Sequence, residues 1–277
     1  MSKIWFVTGS SRGLGREYVT AALSRGDRVA ATARNTDSLK DLIEQYGDAI
    51  LPLAVDVTDR KAVFAAVEQA HAHFGRLDVI LNNAGGAVYG AVEEFTEADL
   101  RSQLELNLFG PFHVTQAVLP YLREQGSGHI VMISTVAGLV SFPGMGAYNA
   151  AKHALEGLAG ALAQEVTDLG IKVTIVEPGR YGTEAPLSSA GRAEIMAPYA
   201  HLRQETEEVV QTQECHDPAA AAAVMLKIVD AEQPPSRIFF GTEVRPMVDA
   251  SYAEKVKSWD ACADLTEEAN GEPQSQA

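Results

Sequence analysis

The sequence predicts an α/β fold, a seven-stranded parallel sheet with helices on both faces. Seven short apolar or β-branched runs recur at fairly even spacing, and segments of helical periodicity lie between them. Three of those segments end on a glycine (Gly26, Gly75 and Gly170) suited to a left-handed helix cap. Strands that alternate with helices are joined by right-handed crossovers, which bring successive strands parallel into one sheet.

The strand candidates, in order, are "KIWFVTG", "RVAATAR", "ILPLAVDV", "VILNNAG", "HIVMIST", "KVTIVEPG" and "RIFFGT". The glycine-ended helical segments are "REYVTAALSRG", "DRKAVFAAVEQAHAHFG" and "AYNAAKHALEGLAGALAQEVTDLG". No linker interrupts residues 1–252, which read as a single domain. Residues 253–277 turn acidic and polar, a tail whose last eight or so residues are expected to be disordered. The segment from about 183 to 217 breaks the rhythm and is too long for an ordinary connection. At the carboxyl end of a parallel strand it reads as a substrate lid, with a plain surface excursion as the alternative.

Composition narrows the function classes. With 277 residues, 46% of them apolar, the chain can bury a sizeable core. A formal net charge of −15 argues against nucleic acid and against an anionic membrane surface, since both need clustered Lys and Arg. Cys215 and Cys262 have no metal-ligand spacing, so neither a disulfide framework nor a metal site is expected. "MSKIWFVTGS" is too short in apolar residues for a signal peptide, and no apolar run approaches the roughly 18 to 20 residues of a membrane span. A soluble, cytoplasmic protein is expected.

"VTGSSRGLGREY" follows the first strand directly and opens the first helix, the context that turns a glycine pattern into a phosphate site. Gly9 would permit the tight turn, Gly13 would let backbone approach a pyrophosphate, and Gly15 would let the helix pack on the strand. Ser11 and Leu14 lie in the same loop, and the helix N-terminus would face the phosphates. The loop lacks the Gly-Lys-Ser/Thr ending of an ATP site. At the end of the second strand, where an acidic residue would select NAD(H), stand Ala33 and Arg34. Arg34, flanked by Arg12, would meet the 2′-phosphate of NADP(H); NADP(H) is therefore preferred, with NAD(H) still possible and ordinary surface cations the alternative. Asp56, beside Val57, would accept from the adenine amino group or else cap the next helix.

Tyr148 and Lys152 stand four apart at the start of a helix and so share a face. A phenol near an ammonium is more readily ionised, so Tyr148 would exchange a proton with a substrate oxygen while hydride moves at carbon. In this company the sequence resembles the short-chain dehydrogenase/reductase family, in its short single-domain branch, up to about residue 250. The matching pieces are "TGSSRGLG" from Thr8, "NNAG" from Asn82, Asn107 in "ELNLFGPF", "YNAAK" from Tyr148 and "PGRYGT" from Pro178. The resemblance implies a doubly wound, Rossmann-type sheet, a nicotinamide cofactor, and a catalytic set of Asn, Ser, Tyr and Lys. It makes Tyr148 the acid/base. Lys152 would hold the nicotinamide ribose and depress the tyrosine pKa, and Asn107 would anchor a proton-relay water. Asn83, Ala84 and Gly85 would support the central sheet and line the cofactor, while Pro178, Gly179 and Thr183 would embrace the nicotinamide.

The family's serine lies thirteen residues before the tyrosine, and that count lands on Thr135, with Ser134 just before it. Strand alternation would turn the two side chains to opposite faces, so Thr135 faces the substrate unless a bulge shifts the register. Expected pocket walls are Val136, Val140, Phe142 and Met145, with Tyr181 after the sixth strand and Leu187, Met196 and Tyr199 from the lid. This apolar set suggests a hydrophobic ketone, aldehyde or secondary alcohol, although core packing would explain several members equally well. Two competing readings are a non-catalytic NADP-sensing protein and an epimerase or dehydratase on a related fold. The family resemblance implies a homodimer or homotetramer through helices near Glu97 to Gln125 and Tyr148 to Leu169.

Overall fold

The computed structural model describes residues 2–182, 191–194, 196–212 and 215–271. Its strands are β1 (Ile4–Val7), β2 (Arg28–Ala33), β3 (Ile50–Ala54), β4 (Val79–Asn82), β5 (Gly128–Ile133), β6 (Ile171–Pro178) and β7 (Arg237–Phe240). They pair in parallel throughout, in the order β3-β2-β1-β4-β5-β6-β7. All seven runs read from the sequence are these strands. Alternate residues enter two separate cores: Ile4 and Phe6 join one, Trp5 and Val7 the other. The chain moves outward from β1 to β3, then returns to β4 on the opposite side. That reversal opens a crevice at the carboxyl ends of β1 and β4.

The helices are α1 (Gly13–Ser24), α2 (Lys40–Tyr46), α3 (Arg60–Phe74), α4 (Glu97–Leu104), α5 (Gly110–Gln125), α6 (Gly146–Glu165), α7 (Ala200–Thr212), α8 (Pro218–Asp230), α9 (Val244–Asp260) and α10 (Ala263–Glu268). Leu122 of α5 and Leu155 of α6 pack with Ile130 and Met132 on one face of the sheet. Tyr18 of α1 and Met225 of α8 pack with Trp5 and Val131 on the other. Asp59 caps α3 by accepting from the Lys61 and Ala62 N–H groups, and Gly75 ends it in the left-handed conformation.

The helix expected from Glu97 to Gln125 is divided. Between α4 and α5 the backbone widens over Glu105–Phe109, where the Gly110 N–H reaches the Glu105 carbonyl. Pro111 has no N–H to give the Asn107 carbonyl four residues earlier, so the regular ladder cannot run through. Asn107 therefore sits on a widened turn.

The insertion between β6 and α8 leaves and returns through one neck. Gly182 N–H donates to the His216 carbonyl at 2.9 Å, and His216 N–H donates to the Arg180 carbonyl at 2.9 Å. Val88–Tyr89 pairs with Gly191–Arg192, a contact the sequence did not signal. At the C-terminus, α9 runs unbroken across residue 253 to Asp260 and α10 follows, because the polar composition there still favours helix. Of the tail's last residues, 272–277 lie outside those described. No helix among the described residues is long and apolar enough to cross a membrane.

Candidate active site

The loop from β1 to α1 is shaped by glycine. Gly9 and Gly13 adopt φ of +70° and +57°. A Cβ on Gly15 would fall 2.2 Å from the Gly9 carbonyl oxygen and 2.3 Å from Asn83 Nδ2. Asn83 braces this loop from β4: its Nδ2 donates to the Thr8 carbonyl at 3.0 Å and the Gly9 carbonyl at 3.2 Å. Thr8 Oγ1 in return accepts from the Asn83 and Ala84 N–H groups. The first turn of α1 carries neither a side-chain cap nor an acidic residue, so its N–H groups keep their attraction for an anion.

This loop forms one wall of a cleft of ≈ 510 Å³. The described residues expected to bind a dinucleotide, from Gly9, Ser11, Gly13, Leu14 and Gly15 through Ala84 and Gly85 to Pro178, Gly179 and Tyr181, all line it. Thr183 lies outside the described residues. Arg12, Arg34, Asp56 and Val57 line it beside β2 and β3. The Arg12 and Arg34 side chains, both on exposed residues, make no hydrogen bond or ion pair among the described residues. Asp56 does not cap α3, a task that falls to Asp59; its Oδ1 accepts from the Thr58 N–H and hydroxyl. A glycine cradle, a bare helix N-terminus and two unpaired guanidiniums fit a phosphorylated dinucleotide.

Across the crevice, Tyr148 and Lys152 enter the same cleft from α6. Lys152 Nζ lies 5.8 Å from the Tyr148 ring centroid and donates to the Ile133 carbonyl at 2.9 Å. Tyr148 keeps part of its ring open to the cleft, yet enough protein surrounds its hydroxyl that burial pushes the phenol pKa up, with Tyr89 adding to the effect. Lys152 is 3% exposed, and burial pulls its ammonium down to about 8 against the opposing charge of Glu156. The phenol thus shifts upward, where the sequence reading expected Lys152 to lower it. Asn107 is fully buried and holds the turn beside them: its Nδ2 donates to the Gly86 carbonyl at 2.9 Å and its Oδ1 accepts from the Gly86 N–H at 3.2 Å. A Cβ on Gly85 would fall 2.9 Å from Asn107 Oδ1 and 3.6 Å from Lys152 Nζ.

The two hydroxyls at the end of β5 part company. Thr135 Oγ1 donates to the Pro178 carbonyl at 3.2 Å, and its proximity opposes the upward shift of the Tyr148 phenol. Ser134 is buried; its Oγ lies 2.6 Å from where a Cβ on Gly138 would be, a position that also touches Glu156.

The expected pocket walls are scattered. Val136, Val140, Phe142, Met145, Met196 and Tyr199 are absent from the lining of this cleft, and Leu187 lies outside the described residues. Phe142 and Met145 shape the start of α6, where the Phe142 carbonyl accepts from Asn149 Nδ2 at 2.9 Å and the Met145 carbonyl from the Asn149 N–H at 2.8 Å. Met196 N–H donates to Glu94 Oε1 at 2.7 Å, and the Tyr199 hydroxyl donates to Glu93 Oε2 at 2.6 Å. Sequence reasoning missed Thr32, Val55, Thr58, Gly86, Ala87, Leu106 and Ile133, which do line the cleft. Ile133 contributes a main-chain carbonyl, which no side-chain pattern announces; Gly86, adjoining "NNAG", was within reach.

Comparison with known proteins agrees with this geometry. Residues 3–190 match the family model described as short chain dehydrogenase. The chain is 42% identical over 247 residues to an oxidoreductase, BOA17, of Botryotinia fuckeliana, covering 88% of this chain and 90% of that protein. It is 35% identical over 263 residues to a 3-ketodihydrosphingosine reductase of Bacteroides thetaiotaomicron, covering 93% of each. The crystal structure of a short-chain dehydrogenase from Streptomyces avermitilis superposes with a TM-score of 0.90 at 39% identity, covering 97% of this chain and 100% of that one. Similarity thus runs along nearly the whole chain: the protein belongs to the short-chain dehydrogenase family and is an NAD(P)-dependent oxidoreductase.

Proposed function

We propose that the protein is an NADP(H)-dependent reductase or dehydrogenase acting on a hydrophobic ketone, aldehyde or secondary alcohol, with Tyr148 as the general acid/base. The observation that carries this reading is the division of one cleft by the sheet order. Two unpaired arginines stand over β2 and β3, and the Tyr148–Lys152 pair stands beside β5. Arg12 and Arg34 would clamp the 2′-phosphate, the first turn of α1 the pyrophosphate, and Lys152 the nicotinamide ribose. The bound cofactor supplies or accepts the hydride.

The chain's own residues handle the proton. Burial keeps the Tyr148 phenol protonated at neutral pH, which suits it to donate to a developing alkoxide in the reducing direction. Thr135 holds the substrate oxygen beside that phenol. Asn107 fixes the turn at Gly86 and anchors a water through which Lys152 recovers protons from solvent. The similarity to a 3-ketodihydrosphingosine reductase supports a ketone on an apolar chain. Exposed Leu100, Phe109 and Leu169 support assembly as a homodimer or homotetramer through the α4–α5 and α6 surfaces, in the cytoplasm.

A panel of long-chain ketones, aldehydes and secondary alcohols, assayed with NADPH and NADH, tests the reading. Turnover of apolar carbonyls with NADPH at least tenfold preferred is expected; preference for NADH would overturn the roles of Arg12 and Arg34.

A further inference from the structure

Behind the Tyr148–Lys152 pair lies a buried charged cluster in which two carboxylates share one guanidinium. Glu156 follows Lys152 by one turn of α6, Glu177 comes from the end of β6, and both carboxylates are buried. Arg237 of β7 reaches both: its Nη1 bonds Glu156 Oε2, and Glu177 Oε1 lies 3.0 Å away. The second oxygen of each carboxylate, and Ser134 Oγ, are buried with no hydrogen-bond partner among the described residues. Ser134 Oγ and Glu156 Oε1 both lie within 3.2 Å of the position a Cβ on Gly138 would occupy, so a glycine leaves room for both groups.

Such an arrangement is costly for packing alone, because buried polar atoms left unpaired destabilise a fold. Two carboxylates against one cation also leave a surplus negative charge unless one carries a proton. Burial first, then the Glu156 charge, push the Glu177 carboxyl up to about 7 against the pull of Arg237. Glu156 is bonded to Arg237, and its charge opposes the loss of the Lys152 proton.

We propose that Glu156 is a positioning residue for the Tyr148–Lys152 pair, its carboxylate fixed by Arg237 one helical turn behind Lys152 so that the ammonium stays protonated. The inference rests on the proposed function only in taking a charged Lys152 to be the active form. The groups facing Lys152 and Glu156 are Tyr148 on α6, Glu177 on β6 and Arg237 on β7, with the Ser134 hydroxyl and the Ile133 carbonyl at the end of β5. Ser134 and Thr135 both line the cleft with Tyr148, and the Ser134 hydroxyl also borders this cluster.

The test follows Lys152 directly, by NMR titration of ¹³C-labelled lysine with Lys152→Arg assigning the resonance, and in parallel records kcat against pH. In Glu156→Gln the Lys152 titration is expected to move to lower pH by about one unit, and the alkaline limb of kcat to move with it. Glu156→Asp, which keeps the charge, is expected to retain most of the wild-type titration. An unmoved Lys152 titration, with kcat lowered evenly across pH, would show a structural role and overturn the proposal. Should the amide variant not fold, Glu156→Leu fills the space without a polar group, and the same two outcomes decide. The NMR titration needs no turnover, so a protein inactive on every carbonyl would refute the proposed function and leave this inference separately decided.

Discussion

The glycine-lined cleft and the segment inserted after β6 are built on different principles. The cofactor wall is backbone brought close: Gly15 packs on the Gly9 carbonyl, and Thr8 and Asn83 lock the ends of β1 and β4 together. The segment inserted after β6 is held by side chains, with Glu94 accepting from the Met196 N–H as well as the Ala91 N–H, and Glu93 from the Tyr199 hydroxyl, both on the Val92–Glu94 turn. The cofactor wall has no room for an added atom. A segment held by side chains on the surface can exchange residues without disturbing the backbone beneath it.

The contrast is broken most severely at Gly15. In Gly15→Ala the new methyl must displace backbone, so a loss of about 3 kcal/mol in stability is expected, together with at least a 100-fold loss of NADPH affinity. Thermal unfolding and fluorescence titration measure the two, and a variant that binds NADPH normally would deny that the wall is rigid. Arg34→Ala touches the same wall through a flexible side chain. It should weaken NADPH about tenfold or more and NADH less than about threefold, the loss of a charge-assisted hydrogen bond. Within the cleft, Thr135→Val should lower kcat by about tenfold or more, with Thr135→Ser close to wild type. Ser134→Ala should cost clearly less than Thr135→Val; the reverse order would restore the serine to the substrate.

The smallest effect is expected at the segment inserted after β6. Glu94→Gln should raise KM by about threefold with kcat unchanged, since one exposed carboxylate is replaced by a neutral acceptor. The Met196 and Ala91 N–H groups hold the Glu94 carboxyl below its ordinary range. A lowered pKa means that the contact is complete above the ordinary carboxylate value of about 4 and is lost only as the pH falls below it. A KM that rises already between pH 7 and 5 would contradict the anchor.

The same contrast explains what the sequence disclosed. All seven strands were legible because runs buried on both faces are nearly continuous in apolar residues, and the cradle was legible because backbone contact demands glycine at Gly9, Gly13 and Gly15. The split between α4 and α5 was written in Gly110-Pro111, yet the periodicity runs smoothly across it and hides the break. The contacts of the inserted segment had no signature, since a carboxylate that accepts from a distant N–H looks like any surface Glu. Counting thirteen residues back from Tyr148 selected Thr135, which lines the cleft alongside Ser134. The same reading could not foresee Arg237, Glu156 and Glu177 meeting, because they come from three separate elements.

The claim on which the rest depends is that the Tyr148 hydroxyl moves the proton. Stopped-flow reduction of an accepted ketone by Tyr148→Phe, with NADPH affinity measured on the same sample, tests it most directly. The expected result is a loss of about 10²- to 10⁴-fold in the chemical step with affinity changed by less than about threefold. A variant that reduces the ketone at near wild-type rate would contradict the account.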